Sequence, residues 1–156
     1  MITLLENLIE RSDGSYFESQ DLDVVEQSLQ SWGDRRGAYQ RIQELEADIV
    51  TKTLNRFKQD HEPLIRSAPD SILKKCQGDL SLVLRNCAMA MLLQDEELLK
   101  DRFLFWMQNI MRALRNQKFN VHIYQILQDI IQEELSPNDA TLMLPYLKIT
   151  YQFLSE

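Results

Sequence analysis

One period runs through this chain. From Leu4 to Leu154 apolar residues recur three or four positions apart, and no segment alternates with period two. That pattern specifies amphipathic helices and leaves no half-buried strand. Punctuation is scarce: there are four glycines and four prolines. An all-β chain needs turn residues roughly every 8–12 positions, so that class is excluded. A length of 156 residues suits one domain, with one hydrophobic core and no need of staples. The reading is all-α, residues 1–156 forming a single domain of seven to nine helices.

The expected elements follow from local signals. Leu4, Leu5, Leu8 and Ile9 make a stripe on a short first helix, which Asp13-Gly14-Ser15 breaks. Ser19 stands as N-cap before Leu22, Val25 and Leu29, and Gly33 stops that second helix. Residues 1–33 therefore read as a pair of short helices. A stripe as short as that of the first helix cannot be buried by so small an element alone, which suggests pairing with another chain, with packing back on its own domain as the alternative. A long helix runs from Arg35 to about Phe57. The stretch from His61 to Pro69 contains two prolines and reads as a loop. Asp70 or Ser71 caps the next helix, which carries Ile72, Leu80, Leu84 and Ala88. Gln94-Asp95 is a corner, followed by one helix from Glu96 to Asn116 and another from Asn120 to Leu135. Ser136-Pro137 is a helix start, with Ser at N-cap and Pro at N1. Pro145 starts or kinks the last helix.

Much chemistry is excluded at once. Lys plus Arg total 17 against 24 Asp plus Glu, a net charge of −7. There is no basic footprint for nucleic acid. The two cysteines, Cys76 and Cys87, are too few for a disulfide framework. His61 and His122 belong to no metal-ligand spacing, and no glycine-rich phosphate loop exists. No nucleophile–base–orienter set is visible, so no enzyme is expected. The start of the chain lacks the basic flank of a signal peptide, and no uncharged run approaches a membrane span. A cytoplasmic protein is expected, peripheral to a membrane at most. A lone histidine such as His122 is more often structural, with a haem ligand in a globin-like core as the functional alternative.

Lys74-Lys75-Cys76-Gln77-Gly78-Asp79 stands apart. Cys76 and Asp79 are three apart and share a helix face. Lys75 is expected to lower the thiol pKa by favouring thiolate. A thiol with an adjacent cation and a carboxylate one turn on suits covalent capture of an anionic, nitrogen-bearing ligand. A small buried cysteine on an amphipathic helix is the bland alternative, and Cys87 reads that way.

The run from Cys76 through Asp79 to Arg85 resembles the chromophore helix of the phycobiliproteins, with its C-x-R-D-x-x-x-x-L-R pattern. The similarity continues through Asp95 and Leu99-Lys100-Asp101-Arg102-Phe103-Leu104 to Arg112-Ala113-Leu114, and is most like the β-type subunits. Asp13-Gly14 with Ser19-Gln20-Asp21-Leu22, Gly33-Asp34-Arg35-Arg36 through Arg41-Ile42, and Pro137-Asn138-Asp139 resemble other landmarks of that family in order.

The resemblance implies a globin-like helical domain with two extra N-terminal helices. It implies a bilin, phycocyanobilin-like, held as a thioether on Cys76, with Asp79 on the pyrrole nitrogens and Lys75 on the propionates. It implies a homo- or heterodimer with a related subunit, and rings beyond it, with Asp13 and Arg85 pairing across the dimer. The setting it implies is cyanobacterial photosynthesis, in the cytoplasm or on the cytoplasmic face of the thylakoid through an assembly. This chain departs from the pattern in four places. Gly78 replaces the arginine two after the cysteine, Trp106 a small residue, and Met89 and Met111 aromatic positions that flank the bilin. A pigment-free relative with an assembly, regulatory or bilin-metabolism role is therefore the alternative function. In it Phe103, Phe105, Trp106 and Met107 fill the pocket.

Overall fold

Helix α1 (Ile2–Ser12) ends where the sequence predicts, at Asp13. Asp13 takes a left-handed conformation at φ 42 and Gly14 follows at φ 80, the region in which glycine is at ease. The computed structural model describes residues 1–66, 71–115 and 117–156. Every regular element among them is helical.

Helix α2 (Ser19–Gln30) begins one residue off expectation. Glu18, not Ser19, is the N-cap and forms a reciprocal capping box with Asp21. The Asp21 carboxylate reaches back to accept from the Glu18 amide at 3.0 Å, which leaves Ser19 as the first helical residue. Nor does Gly33 stop this helix. The chain turns at Ser31, and Gly33 lies in the first turn of α3 (Trp32–Asp60). The break is held by Arg35 instead. Its guanidinium donates to the Ser28 carbonyl and, at 3.1 Å, to Ser31 Oγ, so orphan groups at the helix end are satisfied without a glycine.

The expected loop after His61 contains a short helix, α4 (Glu62–Arg66). Pro63 fits because it stands in the first turn, where its missing N–H has no role. Pro69 and the candidate cap Asp70 lie outside the described residues. Helix α5 (Ile72–Leu93) is capped by Ser71 without a side-chain bond. The Gln94-Asp95 corner is present: Gln94 is left-handed at φ 53, and Asp95 caps α6 (Glu96–Leu99) by accepting from the Leu98 amide at 3.0 Å.

One helix was expected from Glu96 to Asn116. A π-helical turn, Lys100–Leu104, interrupts it, with the Phe105 amide bonded to the Lys100 carbonyl. Helix α7 (Phe105–Leu114) then ends at left-handed Arg115; Asn116 lies outside the described residues. Helix α8 (Gln117–Glu134) starts three residues before the expected Asn120. Helix α9 (Pro137–Ser155) has the predicted Ser136 cap and Pro137 at its start, and continues through Pro145.

Helices α3, α5, α8 and α9 pack together as the core of a globin-like all-α fold. Ile49, Leu84, Leu127, Ile131 and Leu147 fill its centre. Helices α1 and α2 stay outside, α1 against α6 and α2 against α3. Two bolts hold this edge. Asp95 accepts from both the amide and the hydroxyl of Thr3, each at 2.8 Å. Arg35, buried, donates also to the Leu92 carbonyl and lies over the Trp32 ring at 5.6 Å.

Candidate functional site

Cys76 and Asp79 lie in the first turns of α5 and share one face, as their spacing predicts. With Leu80 they form one wall of a small cavity; Phe119, Asn120, Ile123 and Tyr124 of α8 form the other. Those four α8 positions follow the i, i+1, i+4, i+5 rhythm of a single helix face. The cavity holds only about 10 Å³. That is room for roughly one water molecule, against about 300–1,000 Å³ for the pocket of a drug-sized ligand. Tyr124 is buried, and Asn120 is fixed by its amide donating to the Leu154 carbonyl at 2.7 Å. The α8 wall is packed, not open.

Electrostatics contradict one expectation. Burial, and then the Asp79 charge, push the Cys76 thiol up to about 11. Lys75 does not lower it: its side chain is exposed, and its charge is felt at Asp79. Burial raises the Asp79 pKa and Lys75 partly offsets that rise. A half-buried thiol backed by a carboxylate disfavours thiolate. Cys87 is a core residue, as expected. It is fully buried 3.2 Å from Thr150 Oγ1, and burial pushes its thiol up to about 12.

The aromatic residues expected to fill the pocket lie elsewhere. Phe103 and Met107 belong to the main core. Phe105 packs edge-on against Phe153 at 5.4 Å. Trp106 is 53% exposed and leans on Phe103. Met111 is buried and Met89 half-buried, and neither lines the cavity. The π-helical turn shifts the helical phase just before Phe105 and Trp106, which sequence periodicity cannot register. The residues that do close the cavity, Phe119 and Tyr124, carry an ordinary core spacing. Gly78 is exposed, and a Cβ there would meet open space.

Asp13 and Arg85 do not meet within one chain. Asp13 is exposed at the end of α1. Arg85 pairs in bidentate fashion with Glu46 of α3, Nη2 to Oε1 at 2.7 Å and Nε to Oε2 at 2.9 Å. This pair borders a groove of about 450 Å³ between α3 and α5, floored by Ile42, Leu84 and Ala88. Apolar surface concentrates on the N-terminal elements. Ile2, Leu5 and Ile9 of α1 and Leu22, Val24 and Leu29 of α2 are exposed, and Tyr16 between them fully so. Only Leu8 of the predicted α1 stripe is buried.

His122 is half-buried, and its ring stacks on that of His61 with centroids 4.0 Å apart. No group of three or more His, Cys, Asp or Glu suited to a metal occurs among the described residues. No described helix is long and apolar enough to cross a membrane.

The sequence model of the phycobilisome protein family matches residues 9–154. This chain belongs to the phycobilisome protein family. The match spans the globin-like core, α2 and the last residues of α1. The family generally binds bilin chromophores, and its members are light-harvesting structural proteins that typically assemble into oligomers. No curated protein sequence matches the chain. The described residues do not fit a bilin at Cys76: the cavity is too small by more than an order of magnitude, and no cation stands beside the thiol within it.

Proposed function

We propose that this chain is a pigment-free member of the phycobilisome protein family that acts by pairing with a related subunit. The observation that carries the reading is the cavity of about 10 Å³ beside Cys76, closed by Phe119, Ile123 and Tyr124. The exposed apolar faces of α1 and α2 supply the pairing surface, since patches of this kind mark interaction sites. In this reading Asp13, exposed at the end of α1, pairs with Arg85 of a second chain in a homo- or heterodimer, and rings grow from that pair. The reading is non-enzymatic, because burial and the Asp79 charge push the half-buried Cys76 thiol up to about 11 and disfavour the thiolate nucleophile. Its setting is the cytoplasm, or the cytoplasmic face of the thylakoid through an assembly.

Co-expression with bilin-forming enzymes and a lyase, followed by intact mass, tests it. The expected mass is that of the polypeptide alone. A gain of one tetrapyrrole, with zinc-enhanced fluorescence lost in Cys76→Ala, overturns it.

A second reading keeps one bilin, thioether-linked at Cys76, with Asp79 and Lys75 as its partners. The shared face of Cys76 and Asp79 favours it, and it requires the α8 wall to move outward. A haem-sensor role for His122 draws no support from its position, since its ring is already stacked on His61.

A further inference from the structure

We propose that the stacked His61–His122 pair is an acid-sensitive latch that holds the end of α3 and α4 against α8 and keeps the Cys76 cavity shut. This goes beyond the pairing role. Four rings run in series from the latch to the cavity. His122 stacks on His61, the centroids 4.0 Å apart and the planes 27° apart. His61 leans on Phe57 at 5.5 Å. Phe57 meets Phe119 edge-on at 6.2 Å, and Phe119 is a wall of the cavity. His61 joins α3 to α4, whose Leu64 and Ile65 are half-buried against the core.

A metal does not explain the pair. An ion bound through both imidazoles must lie in both ring planes, about 2.0–2.1 Å from each nitrogen. Planes only 27° apart and stacked at 4.0 Å meet well outside that reach. Protons do explain it. Two neutral rings stack without repulsion, whereas two imidazolium ions at this distance repel strongly in a half-buried site. Parting the rings removes that repulsion.

The surroundings offer little compensation. Lys58 and Asp60 on α3, Glu62 and Arg66 on α4 and Lys118 on α8 are all exposed, and Glu62 is already paired with Arg66. On α5, Asp79 and Cys76 line the cavity together with Phe119. Burial, and then His61, lower the His122 pKa below 6.5. The closed form therefore binds fewer protons than an open one. Acid favours opening progressively as pH falls below 6.5.

The test uses the full chain and 4,4′-dithiodipyridine, which stays reactive toward thiols in acid. Modification of Cys76 is followed between pH 7.5 and 5.5 by mass, relative to the urea-unfolded chain at each pH. The latch predicts a relative rate that rises severalfold as pH falls through this range. In folded His122→Gln and His61→Gln chains the relative rate should be flat. A flat wild-type profile, or an acid rise that survives in His122→Gln, overturns the proposal. Wild-type NMR titration decides the matter even if both variants misfold. A His122 titration below 6.5 supports the latch, and one at or above 6.5 overturns it.

Discussion

Arg85 and Glu46 close on each other across the groove between α3 and α5, Nη2 to Oε1 at 2.7 Å. The same arginine is the one that the pairing model sets against Asp13 of a second chain. Within one chain Asp13 stands exposed at a left-handed helix end. Glu46 thus holds the Arg85 side chain in a fixed pose at the groove rim and competes for its charge.

Charge reversal at this rim should separate assembly from folding. Arg85→Glu places like charges against Glu46 and against an incoming Asp13. Self-association or pairing with a family subunit should weaken about tenfold, the scale of one lost interfacial charge pair. The thermal midpoint of the monomer should fall only slightly, because the side chain at position 85 is exposed and its replacement can turn into solvent away from Glu46. Sedimentation velocity and differential scanning calorimetry on the same samples check both halves. Unchanged association in Arg85→Glu would remove Arg85 from the interface.

Gly78 is the cleanest stability probe. It lies inside α5 at an exposed position, and a Cβ would meet nothing within 4 Å. Gly78→Ala should stabilise the chain by about 0.5–1 kcal/mol, by removing glycine's excess freedom in the unfolded state. A urea midpoint that rises at constant slope is the expected result. A fall would mean that Gly78 touches something in the working assembly.

Arg35 should behave oppositely. It is 1% exposed, and its donors reach the Leu92 and Ser28 carbonyls and Ser31 Oγ. Arg35→Met keeps much of the stem but strands those acceptors. A cost of about 2–4 kcal/mol is expected, since each hydrogen bond to a charged group is worth roughly 1.5–3 kcal/mol and some acceptors regain water. Hydrogen exchange should locate the loosening at the end of α2 and the start of α3.

Arg35 also shows where sequence legibility stops. The Cys76–Asp79 face was readable because three residues of separation fix it within one helix. The Ser136 cap and the Gln94-Asp95 corner were readable for the same local reason. Arg35 looks like any charged residue near a helix start, because its acceptors come from α2 and α5. The α8 wall of the cavity lies more than 40 positions from Cys76, and nothing in the spacing of Phe119 or Tyr124 distinguishes a pocket lining from core. The His61–His122 stack joins residues 61 positions apart. The π-helical turn adds one residue to one turn, too little to show in a 3.6-residue period, yet it sets the phase of Phe105 and Trp106. Lys75 is next to Cys76 in sequence, yet its charge is felt at Asp79, because neighbours along a helix point in different directions.

The Cys76 thiol gives a further prediction, at alkaline pH. Pushed up to about 11, it should react with iodoacetamide far more slowly at pH 8 than a free cysteine, whose thiol pKa is near 8.5. Asp79→Asn removes the nearby negative charge and should accelerate alkylation, while Lys75→Ala should leave the Cys76 rate nearly unchanged. Rates by mass spectrometry, with Cys87 protected in the core, separate the two. A marked slowing in Lys75→Ala would restore the lysine as an activating neighbour.

Acid should undock α1 before it unfolds the core. The Asp95 carboxyl is 4% exposed. Burial alone would raise its pKa, but the Thr3 and Leu98 amides and the Thr3 hydroxyl outweigh that and hold it below 3.8. A carboxyl with a depressed folded pKa contributes stability that is fully present above its unfolded value. That contribution is lost as pH falls through the folded value, so the window for this contact lies below pH 4. Asp95→Asn keeps the shape but weakens the acceptor, and should cost about 1–3 kcal/mol at neutral pH. The same change should flatten the acid dependence of α1 protection, because the group that titrates is gone. Hydrogen exchange of residues 2–12 in wild type and Asp95→Asn, from pH 7 to pH 3 and corrected for intrinsic rates, reads both effects. Equal acid lability of α1 in the two chains would move the responsible carboxylate away from Asp95.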